Sequence, residues 1–298
     1  MISSLSTHGA ALAKGVVLVK LGRRRGSGHD LGQARLSIPP NLKFTCITRW
    51  WKMTLKEEFE KTGNWLFRWR SYLPLIMVGL FLIALRDFQY PYDSHALYEL
   101  WAIFCLTIAL LGLVIRIFTV GYVPSGTSGR NTKAQVADFL NTTGMYSIVR
   151  NPLYLGNLFI WLGISLFIRS WWLSLIVVLL FCLYYERIMF AEEQFLGEKF
   201  GEEFYEWAKK TPAIFPNFRN WQRANATFSF KTALKREYST LFAIIVSFTS
   251  FEIAGEIFIN GRFHLDTIWI IIFSISLIIY LFIRIIKKRT TILDIEGR

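Results

Sequence analysis

The sequence is poor in the residues from which soluble active sites are most often built. Histidine occurs four times, at His8, His29, His95 and His264. These positions form no cluster with metal-ligand spacing, so no metal centre is expected. The three cysteines, Cys46, Cys105 and Cys182, are far apart, with no zinc-type spacing and no disulfide framework. No glycine-rich nucleotide loop follows a strand pattern, and Gly-x-Ser-x-Gly is absent, which excludes two common routes to nucleotide binding and acyl transfer. Acidic residues are scarce: 21 Asp and Glu against 34 Lys and Arg give a net charge of +13. No nucleic-acid motif accompanies that charge, and the aromatics lie mostly in or beside apolar runs. The basic excess therefore points to cytoplasmic loops and anionic headgroups of a lipid bilayer, not to nucleic acid.

What the sequence has is apolar length. Hydrophobic residues make up 53% of its 298 positions, and six runs stand out, at about Tyr72–Leu85, Leu97–Phe118, Leu153–Ile168, Trp171–Met189, Leu241–Ile259 and Thr267–Ile286. A membrane-spanning helix takes roughly 20 residues. The first and third runs are short by that measure and need flanking aromatic and basic residues to reach the interface. The expected fold is all-α: a polytopic integral membrane protein of about six transmembrane helices, with a polar pocket on its cytoplasmic side.

Four regions follow. Residues 1–52 are Gly-, Ser- and Arg-rich and read as a disordered basic tail, or as an extension preceding a true start at Met53. Residues 53–125 hold an interfacial helix, Lys56 to Arg70, with Trp65, Phe67 and Trp69 at headgroup level, and the first two spans. Residues 126–218 hold a helical hairpin broken only by Arg169-Ser170. Residues 219–298 are a basic connector and two further spans. Lys and Arg concentrate in alternate connections, which puts both termini on the cytoplasmic side and suits a bacterial inner membrane, the favoured location, and also an endoplasmic reticulum. Oligomeric state is left open.

The stretch from Thr143 to Phe204 organises the chain. Its first end reads Gly144-Met145-Tyr146-Ser147-Ile148-Val149-Arg150-Asn151-Pro152-Leu153-Tyr154-Leu155-Gly156. Its last end reads Glu192-Glu193-Gln194-Phe195-Leu196 and Phe200-Gly201-Glu202-Glu203-Phe204-Tyr205. Pro152 suits the first turn of a helix, whose free N–H groups then lie beside Arg150 and favour an anion. Arg150 itself is either part of a site or a positive-inside anchor. Gly144, Gly156 and Gly163 permit close backbone approach, to a ligand or to another helix. Tyr154, Asn157 and Trp161 share a helix face, which serves a bound cation or an interfacial belt. Glu186 and Glu193 share another face, with Glu192 turned about 100 degrees away. Carboxylates at the inner edge of a span pair, bind something, or have left the membrane. Glu186 is within reach of Arg187 or Arg150.

These blocks resemble the isoprenylcysteine carboxyl methyltransferase and phospholipid methyltransferase superfamily over about residues 126–218. That pattern is Arg-His-Pro-x-Tyr-x-Gly, a hairpin, Glu-Glu-x-x-Leu and Phe-Gly-x-x-Tyr, and Asn151 stands where the family has histidine. Within the superfamily, the Thr127–Asn131 run, the Gly144–Pro152 run and the two C-terminal spans look most like bacterial lipid A phosphate methyltransferases. The resemblance implies S-adenosylmethionine as cofactor, held by Asn151, Tyr154, Gly156, Glu192 and Glu193, and catalytic roles for Arg150 and Glu193. It implies an O-methyltransferase for a membrane lipid acceptor, favoured as a lipid A phosphate. Isoprenylcysteine carboxyl methylation, phospholipid N-methylation and a non-enzymatic scaffold or transporter are the alternatives.

Overall fold

The computed structural model describes residues 54–70, 72, 75, 77–87, 95–124 and 137–295. The expected tail, Met53 and the Thr127–Asn131 run lie outside them. Among the described residues the secondary structure is helical, with no strand. The helices are α1 (Leu55–Trp69), α2 (Met77–Ala84), α3 (His95–Tyr122), α4 (Met145–Ile148), α5 (Pro152–Phe167), α6 (Trp171–Phe200), α7 (Glu202–Lys210), α8 (Phe230–Asn260) and α9 (Thr267–Arg289).

The chain is an all-α polytopic membrane protein. Four helices among the described residues, α3, α6, α8 and α9, are long and apolar enough to cross a bilayer. The six expected runs therefore divide into four long helices and two short ones. Helix α5 has 16 residues, and α2 has 8 before a tight 3-10 turn at Leu85–Asp87.

Helices α3 and α5 pack backbone to backbone. A Cβ on Gly156 would lie 2.7 Å from the Gly112 carbonyl oxygen, and one on Gly163 would lie 2.6 Å from the Cys105 carbonyl oxygen. Small residues give membrane helices this approach, where no hydrophobic effect drives them together. Around that seam lies the main core, with Phe81, Tyr98, Ala109, Ile164, Phe167, Ile244 and Phe248. Trp161 packs against this core, its ring 6.2 Å from Phe81, and not in the site. Arg169 makes the α5–α6 turn in the left-handed region, φ 62°, as a two-residue connection demands.

Helix α1 does not span. Thr54 and Glu57 form a reciprocal capping box at its start. Its buried face, Gly63 and Phe67, lies on α6. Arg187 of α6 pairs with Glu58 at 3.9 Å, donates to Thr62 Oγ1 at 3.1 Å and lies over the Phe59 ring. Trp65 and Trp69 stay exposed on the other face, as an interfacial helix requires. At the other end of the chain, α8 and α9 form a hairpin held by aromatic contacts such as Phe242–Tyr280, stacked at 4.4 Å.

The two polar connections are laced together at one end of the bundle. Arg150 N–H donates to Pro212 O, Asn217 N–H to Ile148 O, Gly144 N–H to Gln222 O and Ser229 N–H to Gly121 O, all within 3.0 Å. Gly144, at φ 63°, supplies the bend this lacing needs.

Replacing Gly163 with Val should destabilise the protein by about 1–3 kcal/mol, because backbone atoms of α3 stand where its side chain must go. Gly79→Ala, where nothing lies within 4 Å, should not. Thermal unfolding of the two variants in detergent checks the contrast.

Candidate functional site

Three segments build the site. The 16-residue α5 is too short to carry Arg150 and Asn151 clear of the bundle. The 30-residue α6 continues past the same level and brings Glu192 and Glu193 to them. After Gly201 reverses the chain at φ 56°, α7 and the segment beyond it close the third side.

Glu193 faces Arg150. Arg150 Nε lies 3.2 Å from Glu193 Oε1, and its Nη1 donates to Ala208 O at 3.3 Å. Asn151 sits at the helix N-cap but does not cap with its side chain. Its amide donates to Ala213 O at 3.2 Å. Glu192, one position on, faces elsewhere: it accepts from the Tyr154 hydroxyl at 2.8 Å and lies 4.0 Å from Arg70. The structure brings Arg150, Asn151, Tyr154, Glu192 and Glu193 into one place. Two carboxylates are balanced by two guanidinium groups from different parts of the chain.

Beside these charges is an apolar cleft between α5 and α6. Asn151, Tyr154 and Leu158, then Phe181, Tyr185 and Met189, and finally Ile214 line it. The Tyr185 ring centre is 4.6 Å from Tyr154 and 4.1 Å from Phe181. The Glu192 carboxylate stands one residue behind this lining, reached through Tyr154. Burial pushes the Tyr146 phenol above its usual range, and the Glu192 carboxylate adds to this.

Gly156 is buried against α3 and makes room for the Arg116 side chain, whose Cγ lies 2.6 Å from where a Cβ would be. Its place is in helix packing. Glu186 is exposed and pairs with neither expected arginine, since Arg187 is engaged by α1 and Arg150 by Glu193.

Four residues of this region escape a reading of local sequence: Arg70, Arg116, Tyr185 and Glu237. Arg116 Nε and Nη2 donate to both oxygens of Glu237 at 2.8 Å, and Nη1 donates to Asn157 Oδ1 at 2.7 Å. Asn157 Nδ2 in turn donates to the Tyr185 hydroxyl at 3.2 Å. The signal was an arginine inside an apolar run, which is costly unless paired. Its partner is 121 positions away, where no pattern points to it.

The profile of the phospholipid methyltransferase family matches residues 100–203, and the chain belongs to that family of the isoprenylcysteine and phospholipid methyltransferase superfamily. The cobalt-zinc-cadmium resistance protein CzcN of Cupriavidus metallidurans is 32% identical over 158 residues, covering 50% of this chain and 69% of that protein. The nickel-cobalt-cadmium resistance protein NccN of Alcaligenes xylosoxydans xylosoxydans is 31% identical over 158 residues, 51% of this chain and 67% of that protein. No solved structure gives a significant match. These relatives bear metal-resistance names, so the narrower likeness to lipid A phosphate methyltransferases gives way to the superfamily.

Glu237→Leu should cost about 3–5 kcal/mol, because it leaves the Arg116 charge buried without its partner. The loss reads as a lower unfolding midpoint in detergent. Exchanging both residues for methionine should cost much less.

Proposed function

We propose that the chain is an S-adenosylmethionine-dependent membrane O-methyltransferase whose acceptor is a lipid, favoured as a lipid phosphate such as that of lipid A. The observation that carries this is the acid pair Glu192 and Glu193, held by Arg70 and Arg150 beside an aromatic, apolar cleft within the family-matched stretch.

The residues present suit that cofactor. Glu192 and Glu193 accept hydrogen bonds from hydroxyl or ammonium groups, while the ring faces of Tyr154, Tyr185 and Phe181 favour a cation. Arg150 holds Glu193 in place, and Tyr154 holds Glu192. Bound there, S-adenosylmethionine supplies a methyl group on a positively charged sulfur. The apolar lining of Leu158, Met189 and Ile214 excludes water and accepts hydrocarbon. Alignment and electrostatics then carry the reaction.

An anionic phosphate or carboxylate oxygen needs no general base. An amine acceptor does, and none of the residues assembled here is a histidine. This supports O-methylation over N-methylation. The laced connections and the basic end of α9, Lys287 to Arg289, suit a cytoplasmic face by the positive-inside rule, with an inner-membrane location. A second reading, favoured by the names of the two relatives, is a membrane component of metal resistance without methyl transfer.

Titration of detergent-purified protein with S-adenosylmethionine separates the two. Micromolar-range binding, lost in Glu193→Ala, is expected. Labelled methyl transfer to a bacterial lipid extract should disappear in Glu193→Ala and Arg150→Ala, with both variants still recovered from the membrane. A folded wild-type protein that binds no cofactor would support the second reading.

A further inference from the structure

We infer that the buried Arg116–Glu237 pair is a positioning element of the methyl-donor site, which makes the C-terminal helix α8 a working part of that site. The inference rests on the methyltransferase reading above.

Arg116 is turned inward across Gly156, not outward along α3 toward an interface. Three of its nitrogens are committed, two to Glu237 and one to Asn157. The bond to Asn157 Oδ1 decides which way that amide points: its oxygen meets the guanidinium, so its nitrogen meets Tyr185. Tyr185 is thereby held from behind, and its ring supports Tyr154, which donates to Glu192. A continuous set of contacts thus runs from α8 through α3 and α5 to the acid on α6. Every member except Glu237 lies within residues 100–203, the family-matched stretch.

A structural staple alone does not explain the pair. A buried ion pair stabilises a fold no better than packed apolar residues of the same size. A second polar contact, the Tyr98 hydroxyl to Glu252, already joins α3 and α8 toward their other ends. What the Arg116–Glu237 pair adds is direction: a planar fork with two fixed outlets, one of which sets Asn157.

The test uses full-length protein in detergent, titrated calorimetrically with S-adenosylmethionine and unfolded thermally in parallel. Arg116→Met combined with Glu237→Met removes the fork without stranding a charge. Arg116→Lys keeps the charge and loses the fork, and serves if the double variant does not fold. Each should bind the cofactor about tenfold more weakly, the effect of one lost net hydrogen bond. Tyr98→Phe combined with Glu252→Gln, a control on the same two helices, should bind within about twofold of wild type. Binding by Arg116→Lys and the double methionine variant within that same range would overturn the inference and leave the methyltransferase reading standing. So would a loss no larger than the control's at an equal fall in unfolding midpoint. A wild-type protein that does not bind would overturn both.

Discussion

Everything in this bundle depends on how closely α3 and α5 approach. Their seam runs over Gly112, Gly156 and Gly163, where a Cβ would lie within 3 Å of the facing helix. At that spacing the Arg116 side chain can lie flat over Gly156 and still reach both Asn157 and Glu237. With the helices further apart, Arg116 would lose one partner, and a singly paired arginine in apolar surroundings is costly. Glycine is therefore what makes a buried charge tolerable here. Packing and electrostatics are two descriptions of one contact.

The site follows a similar rule of balance. Its two acids are adjacent in sequence and point apart, so each needs its own cation. Arg150 comes from the residue pair before α5, and Arg70 from the turn that ends α1. Neither cation is free for a ligand without its acid, so the site presents a set of oriented hydrogen-bonding groups, not a net charge. Such an arrangement suits a ligand that carries charges of both signs. The apolar cleft next to it suits one that carries almost none.

Much of this was legible from sequence. The long apolar runs gave the spans, the two-residue break gave the α5–α6 hairpin, and the separate blocks brought Arg150, Asn151, Tyr154 and the acid pair together. What was not legible has a common cause. Arg70, Tyr185 and Glu237 enter through contacts between segments far apart in the chain, and periodicity within one segment carries no information about them. Gly156 was ambiguous because approach to a ligand and approach to a helix place the same demand on a residue.

The docking of α1 has a consequence for how the protein is made. Thr62 and Arg187, which hold α1 against α6, are 125 positions apart. At roughly 5–20 residues per second of synthesis, the surface that receives α1 emerges about 6–25 s after α1 itself. During that interval the amphipathic helix, with Trp65 and Trp69 exposed on one side, has only the membrane interface to rest on. Arg70 therefore reaches Glu192 only after the α5–α6 hairpin is in place. Among the described helices α1 is translated first yet docks only once α6 has been made, and its arrival completes the charge balance of the site.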